Sequence, residues 1–192
     1  MAQATSPGSP DDSPEAGALG RQIDRFDEVV DGWFKPLRSN AVADRVMYGA
    51  STAGDWSAIW HLCGVASSVA RGQPRDAVRL SVIIGLESLL VNQGIKRLFK
   101  RVRPRRDEIA NERHIRQPIT SSFPSGHASA AMTAAAVLSR HGKRPLWYGL
   151  ALVVASSRIH VRMHHPSDVA AGLATGVILG RIANWATDRL DN

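Results

Sequence analysis

Long stretches with apolar residues at helical spacing dominate the chain from residue 41 onward, and this pattern most constrains the fold. Apolar and polar residues nowhere alternate with period two for long enough to predict a β-sheet. Breaks that contain Gly and Pro, at 71–74 and 141–145, are typical of connections between antiparallel helices. The predicted helical stretches are 41–70, 75–99, 125–141, 145–160 and 167–189. The sequence therefore predicts an all-α bundle.

The region before residue 41 divides into two parts. Residues 1–20 are rich in Pro, Gly, Ser and Ala with almost no large apolar side chain, which predicts a disordered tail. They also lack the basic patch and apolar run of a signal peptide. Over 21–37, apolar residues recur at helical spacing among charged ones, which predicts an amphipathic helix that lies on a membrane or on the rest of the fold. The predicted domain is 21–192.

Hydropathy alone does not decide whether the bundle lies in a membrane or in water. A spanning helix needs about 20 mainly apolar residues, and Asp55, Glu87 and several arginines interrupt the candidate stretches. Small residues are dense in 125–141 and 167–189, which allows close helix packing in a membrane bundle and in a tightly packed soluble one. On this pattern the bundle is either membrane-embedded or soluble.

The charge balance favours partners that carry phosphate. Lys and Arg total 24 against 17 acidic residues, giving a net charge of +7. Such an excess is typical of proteins that bind nucleic acid, anionic lipid or a phosphorylated substrate. The single cysteine, Cys63, excludes an internal disulfide framework and, in its apolar stretch, is predicted to be a small buried side chain.

Two clusters in the middle of the chain carry residue types suited to phosphate binding. Lys96 is followed after six residues by Arg103 and Pro104, inside the basic run 96–106. Taken alone, this run equally fits a solvated basic face or a nucleic-acid patch. The sequence Pro-Ser-Gly-His at 124–127 opens a predicted helix, whose first N–H groups form either an anion site or an ordinary cap.

A third cluster joins Ser157 and Arg158 to His164 and Asp168. Pro166 suits the first position of the last predicted helix, which places His164 just outside that helix and Asp168 in its first turn. A carboxylate bonded to one ring nitrogen would fix the tautomer and leave the other nitrogen free to attack. Each cluster is weak alone, and the three together are specific.

Read in order, the patterns Lys-x6-Arg-Pro, Pro-Ser-Gly-His and Ser-Arg-x5-His-x3-Asp resemble the three-part signature of the type 2 phosphatidic acid phosphatase superfamily. Every signature position is occupied with the expected spacing, and the resemblance covers about 96–172. It implies a membrane-embedded all-α bundle with multiple spans in the cell membrane. Here about five spanning helices and the N-terminal amphipathic helix would form it.

The resemblance also implies a metal-independent phosphatase that forms a phosphohistidine. His164 is the implied nucleophile, Asp168 orients it, and His127 protonates the leaving alcohol and then activates water. The implied phosphate ligands are Lys96, Arg103, Arg158 and the backbone at Ser125 and Gly126, with the Ser125 hydroxyl as a further contact. Three cations, a helix N-terminus and two histidines supply what phosphoryl transfer requires without a metal or another cofactor.

The implied substrate is a phosphomonoester or diphosphate of a lipid or polyprenyl-linked alcohol, with membrane lipids and no nucleic acid as partners. A vanadium-dependent haloperoxidase shares these motifs and is the nearest alternative. A nucleic-acid-binding helical protein would use the basic run 96–106, and a catalytically inactive membrane scaffold would use none of the motifs. Zinc bound by His160, His164 and His165 is disfavoured, because a metal would occupy the lone pair that the nucleophile needs.

Two features depart from the usual family pattern. Five spans are visible rather than six, so the amphipathic stretch would take the place of the first. Arg162 stands where the family commonly has Gly, and a cation there would contact substrate or crowd the pocket. The loops on the motif side carry more Lys and Arg than those opposite, which favours a cytoplasmic site. Most bacterial relatives face outward, so the side stays open.

Overall fold

A computed structural model describes residues 14–105 and 120–191. Within these ranges the chain forms seven α-helices and no strand, which confirms the predicted all-α fold. The helices are α1 (Pro14–Arg38), α2 (Ala41–Ala53), α3 (Ala58–Ala70), α4 (Pro74–Ser88), α5 (Gly126–Leu138), α6 (Arg144–His160) and α7 (Pro166–Asp191). Helix α4 continues through a π-helical turn (Leu89–Gly94) into a 3-10 turn (Ile95–Leu98).

Helix α5 forms the centre of the bundle because its side chains are small and almost all buried. Helix α7 approaches it through three glycines, each one turn from the next: Gly172, Gly176 and Gly180. A Cβ atom added at Gly172 or Gly176 would lie 2.4 Å from the carbonyl oxygen of Ser125 or Ser129. Because only glycine permits this approach, the start of α7 lies beside the start of α5.

The predicted helix 41–70 is two helices, and this corrects the prediction. The chain turns between α2 and α3, where Trp56 and Ser57 adopt left-handed φ angles of 55° and 58°. Gly54 lets this turn approach α5, since a Cβ atom there would lie 2.7 Å from Cδ2 of His127. Apolar residues keep helical spacing on both sides of the turn, so periodicity did not reveal it.

Helix α1 begins at Pro14, before the predicted start at residue 21. Residues 14–20 are therefore helical rather than part of a disordered tail, as Pro in the first turn and the following Ala and Leu residues permit. The remainder of the predicted tail, 1–13, lies outside the described residues. Val30 and Phe34 of α1 pack against buried side chains of α5, α6 and α7.

The outer surface of the bundle is apolar, whereas several polar side chains point inward. Exposed apolar side chains follow successive turns of α3, α4 and α7: Leu62, Val65, Val69, Val78, Val82, Leu86, Ile178, Ile182 and Trp185. Inside the bundle, Glu87, Ser129 and Thr133 are buried. Two helical segments, Pro74–Leu98 and Pro166–Asp191, are long and apolar enough to cross a membrane.

Candidate active site

The three sequence clusters meet at one end of the bundle. The first follows the end of α4, the second begins α5, and the third joins the end of α6 to the start of α7. A cavity of about 820 Å³ opens among them. Six of the eight predicted site residues line it: Lys96, Arg103, Gly126, His127, Arg158 and His164. Ser125 and Asp168 are fully buried behind the cavity wall.

The cavity concentrates positive charge. Lys96 lies in the 3-10 turn that ends the α4 segment, and its Nζ is 3.4 Å from the place where a Cβ atom of residue 126 would stand. Arg103 and Arg158 enter from the loop after α4 and from the last turn of α6. Glu87 is the sole carboxylate among the described lining residues. Such a surplus of cations favours an anionic ligand.

Two of the arginines that line the cavity, Arg103 and Arg158, are held by hydrogen bonds to neighbouring loops and helices. Nη1 of Arg103 donates to the carbonyl oxygen of Met163 at 2.7 Å, one residue before His164. Arg158 is 3% exposed and donates to Oγ of Ser51 on α2. Because these bonds restrict their rotamers, both guanidinium groups are oriented before any ligand arrives.

His164 is oriented by a backbone carbonyl rather than by direct contact with Asp168. Its Nδ1 lies 2.6 Å from the carbonyl oxygen of Ser122, which only accepts, so Nδ1 carries the proton. Oδ2 of Asp168 is 3.8 Å from Nδ1, beyond hydrogen-bond distance, and this corrects the predicted direct bond. Nε2 keeps its lone pair and lies 3.4 Å from Nη1 of Arg103.

The surroundings of His164 disfavour its protonated form. Complete burial lowers its pKa to about 3, and the charges of Arg158, Arg103 and Lys96 act in the same direction. The neighbouring Asp168 opposes these effects without cancelling them. The imidazole is therefore neutral near pH 7 and can act as a nucleophile.

His127 is held by a residue that the sequence did not reveal. Its Nε2 lies 2.9 Å from Oδ1 of Asp55, in the turn between α2 and α3. This hydrogen bond lowers the pKa of Asp55, so the carboxylate accepts and Nε2 donates. Asp55 interrupts an apolar stretch, but its spacing gives no sign of its partner, which lies 72 residues away.

Asp168 is held by two groups that the sequence did not reveal as its partners. Its Oδ1 accepts a hydrogen bond from Nη1 of Arg101 at 2.6 Å, and its Oδ2 accepts one from the backbone N–H of His165 at 2.9 Å. The sequence marked Arg101 only as one member of the basic run 96–106. Both carboxylate oxygens of Asp168 are thus occupied by groups other than His164.

Ser125 connects helices and is not among the described residues that line the cavity. Its backbone N–H donates to the carbonyl oxygen of Asp168 at 3.0 Å. Its Oγ accepts from the N–H of Ala128 and caps α5. The N-terminus of α5 therefore faces the cavity through Gly126 and His127.

Comparison with known proteins identifies the family. Residues 76–191 match the PAP2 superfamily. The chain belongs to this superfamily. The match covers more than half of the sequence and contains all three clusters, which confirms the resemblance inferred from their spacing.

Relatives of this PAP2 protein include enzymes named for lipid phosphates. A decaprenylphosphoryl-5-phosphoribose phosphatase of Mycobacterium tuberculosis is 41% identical over 90 residues, which cover 47% of this chain and 50% of the relative. A lipid A 1-phosphatase of Porphyromonas gingivalis is 34% identical over 119 residues, which cover 59% of this chain and 23% of the relative. The chain thus matches about half or less of the length of these two relatives.

The fold of this PAP2 protein is similar to that of a solved relative. The crystal structure of a transmembrane PAP2 type phosphatidylglycerolphosphate phosphatase from Bacillus subtilis superposes with a TM-score of 0.63. The superposition covers 93% of this chain and 89% of the other, at 19% sequence identity. The helical architecture is therefore shared although the sequences have diverged.

Arg162 is not among the described residues that line the cavity of this PAP2 protein, where a cation was expected to contact substrate or crowd the pocket. It adopts a φ of 52°, a left-handed conformation that favours glycine. Its guanidinium pairs with Asp31 of α1 at 3.6 Å and donates to the carbonyl oxygen of Arg105 at 3.2 Å. The backbone conformation at Arg162 is thus one that a glycine would adopt without strain.

The remaining histidines of the third cluster have other partners. Nε2 of the buried His160 lies 3.0 Å from Oδ1 of Asp44, and Nε2 of His165 lies 3.2 Å from the carbonyl oxygen of Val102. Among the described residues, no group of three or more His, Cys, Asp and Glu is arranged to hold a metal ion.

The basic run is divided between the interior and the surface. Lys96, Arg103 and the exposed Arg97 line the cavity, and Arg101 binds Asp168, whereas Lys100 and Arg105 are exposed away from it. The last member, Arg106, lies outside the described residues.

Proposed function

We propose that this PAP2 protein hydrolyses a phosphomonoester or diphosphate of a lipid or polyprenyl-linked alcohol at a membrane, through a phosphohistidine. The observation that carries the proposal is that Lys96, Arg103 and Arg158 line one cavity together with His127 and His164, which have different partners. Lys96, Arg103 and Arg158 would neutralise the phosphoryl oxygens, with the N-terminus of α5 as a fourth electropositive group. This set matches the charge of a transferring phosphoryl group.

In the first step, Nε2 of His164 attacks phosphorus and the bond from phosphorus to the alcohol oxygen breaks. Attack makes the imidazole ring cationic, and the carbonyl of Ser122 and the nearby Asp168 carboxylate stabilise that charge. His127 donates a proton to the departing alcohol oxygen. Because its Nε2 is bonded to Asp55, Nδ1 is the nitrogen that exchanges this proton.

In the second step, water hydrolyses the phosphohistidine. His127 removes a proton from the water, the water oxygen bonds to phosphorus, and the bond from phosphorus to Nε2 of His164 breaks. Inorganic phosphate leaves, and both histidines return to their starting protonation states. Asp55 stabilises the protonated form of His127 that exists before the first step and after the second.

A membrane setting, with several spans, is supported by the surface of the bundle. Large apolar side chains cover α3, α4 and α7 on the outside while polar ones are buried, an arrangement that suits lipid better than water. Two helical segments meet the length and apolarity of a span. The names of the relatives favour polyprenyl-linked sugar phosphates and lipid A as the first substrates to test.

The test is phosphate release by detergent-purified protein. The panel contains phosphatidic acid, polyprenyl phosphate, polyprenyl diphosphate and polyprenyl-linked phosphoribose. We expect release from at least one of them, and an acid-labile, alkali-stable phosphoprotein after rapid quenching. H164A should lose both signals while remaining folded. Turnover by folded H164A would contradict the nucleophile, and vanadate-dependent bromide oxidation by protein recovered without detergent would contradict the phosphatase.

A further inference from the structure

Arg101 lies within the first cluster, yet it is not among the described residues that line the cavity. Its Nη1 donates to Oδ1 of Asp168 at 2.6 Å and to Oγ of Ser167 at 2.7 Å. Its Nη2 donates to Oδ2 of Asp27 at 2.7 Å. Arg101 therefore bridges two carboxylates, one in the first turn of α7 and one on α1.

Asp27 fastens α1 to the start of α7. It is 7% exposed, and its Oδ1 accepts from the backbone N–H of Ser167 at 2.7 Å. Its Oδ2 accepts from Oγ of Ser167 at 2.8 Å. Asp27 thus accepts a hydrogen bond from the first turn of α7. An N-cap side chain does the same for its own helix, whereas Asp27 belongs to α1.

Helix α1 also binds the helix end on the other side of the His164 loop. Arg38 donates to two carbonyl oxygens in the last turn of α6, each at 2.9 Å. Carbonyls at a helix C-terminus lack partners within the helix, and a cation there stabilises them. Helix α1 therefore contacts both helix ends that flank the loop with His164.

The bridge determines where the Asp168 carboxylate lies. This carboxylate is fully buried, and a buried charge needs close partners to offset its lost hydration. Arg101 occupies Oδ1, and the N–H of His165 occupies Oδ2. The carboxylate is thus held 3.8 Å from Nδ1 of His164, near enough to stabilise a cationic ring without replacing the bond to Ser122.

We propose that Asp27 and Arg101 are positioning residues that act on His164 through Asp168. Helix α1 thereby holds the geometry of the site in addition to covering the bundle. The inference rests on the proposed function, since it treats His164 as the nucleophile.

The test compares D27N and R101K with the matched variant D31N, each in the whole chain purified in detergent. Asp31 lies one turn further along α1 and pairs with Arg38 and Arg162, so D31N removes a carboxylate without affecting the bridge. We expect D27N and R101K to lower kcat about tenfold to a hundredfold, as for other residues that orient a functional group. KM should change less than about threefold, because the cations of the cavity remain.

A second readout does not depend on turnover. Ring resonances of His164 in protein with isotope-labelled histidine, assigned with H164Q, report the position of the carboxylate. We expect them to shift in D27N and R101K and to stay in place in D31N, at similar melting temperatures. D27E keeps a carboxylate and should therefore have a higher kcat than D27N. If D27N does not fold, D27E takes its place in the kcat and the resonance comparisons.

Two results would overturn the inference: an unshifted His164 resonance in folded R101K and D27N or D27E, or an equal loss of kcat in D31N. Failure of the proposed function has a different result. If wild-type protein releases phosphate from no lipid phosphate, the phosphatase proposal fails. The His164 resonances still decide whether Asp27 and Arg101 position the Asp168 carboxylate beside His164.

Discussion

At the residue scale, His127 and His164 are held by acceptors of different charge. The neutral carbonyl of Ser122 accepts from His164, whereas the carboxylate of Asp55 accepts from His127. A carboxylate stabilises a protonated ring more than a carbonyl does. This difference suits His164 to nucleophilic attack and His127 to proton transfer, since environments that separate two titratable groups separate their roles.

The pKa of His164 predicts a pH dependence of stability. Its pKa is about 3 in the folded protein and about 6.5 when unfolded, so only the unfolded state takes up a proton as the pH falls below 6.5. The free energy of unfolding therefore decreases between pH 6.5 and 3, by at most about 1.4 kcal/mol per pH unit, and is unaffected above that range. H164Q lacks this contribution.

Melting temperatures in detergent at pH 7.5 and pH 5 test this prediction. When the pH is lowered from 7.5 to 5, the melting temperature of the wild-type protein should fall more than that of H164Q. The other histidines are common to both proteins and cancel in the comparison. Parallel curves would show that His164 is not buried in the neutral form.

The pair of Asp55 and His127 predicts a dependence on the leaving group. D55N should slow hydrolysis of alkyl phosphates by about tenfold or more, because loss of the carboxylate weakens general acid catalysis. Aryl phosphates leave without a proton and should be nearly unaffected. D44N is the matched control, since Asp44 forms a similar pair with His160 away from the cavity. Equal losses with both substrate types would contradict the role of His127.

At the scale of the elements, the row of glycines on α7 determines how closely this helix approaches α5. In G176A the new Cβ would meet the carbonyl oxygen of Ser129 at 2.4 Å and Cβ of Met132 at 2.7 Å. We expect destabilisation by about 1–3 kcal/mol from overpacking. The start of α7 carries Asp168, so this shift would also reach the site.

Thermal unfolding of G176A, with G149A as control, measures this effect. Gly149 lies inside α6 with no atom near a new Cβ, so alanine there should leave the melting temperature equal or higher. An unchanged melting temperature in G176A would mean that α5 and α7 are not in close contact.

At the scale of the whole molecule, large apolar side chains are exposed on the outside of the helices while several polar side chains are buried. V82K tests the surroundings of the outer surface, because Val82 is 55% exposed on α4. In a bilayer, lysine at the centre of a helix costs roughly 3 kcal/mol of insertion free energy. We therefore expect less V82K protein in carbonate-washed membranes. Q73K, at an exposed position before α4, should behave as wild type, and equal yields would contradict a lipid-facing α4.

The sequence by itself determined the all-α class, the approximate helices and six of the residues that line the cavity. Helical periodicity and residue spacing are local properties, and the three clusters have fixed spacing along the chain. Only the tertiary structure decided which group holds each histidine. Asp55, Arg101 and the Ser122 carbonyl are distant in sequence from at least one partner and follow no periodic pattern.

The same reason explains where the geometry differs from what the sequence predicted. The turn after α2 exists because Gly54 meets His127, and Ser125 faces away from the cavity because its N–H binds the Asp168 carbonyl. Each outcome depends on a contact between separate helices, whose free energy exceeds local preference. Sequence spacing therefore identified the chemistry of this protein, and helix packing decided its geometry.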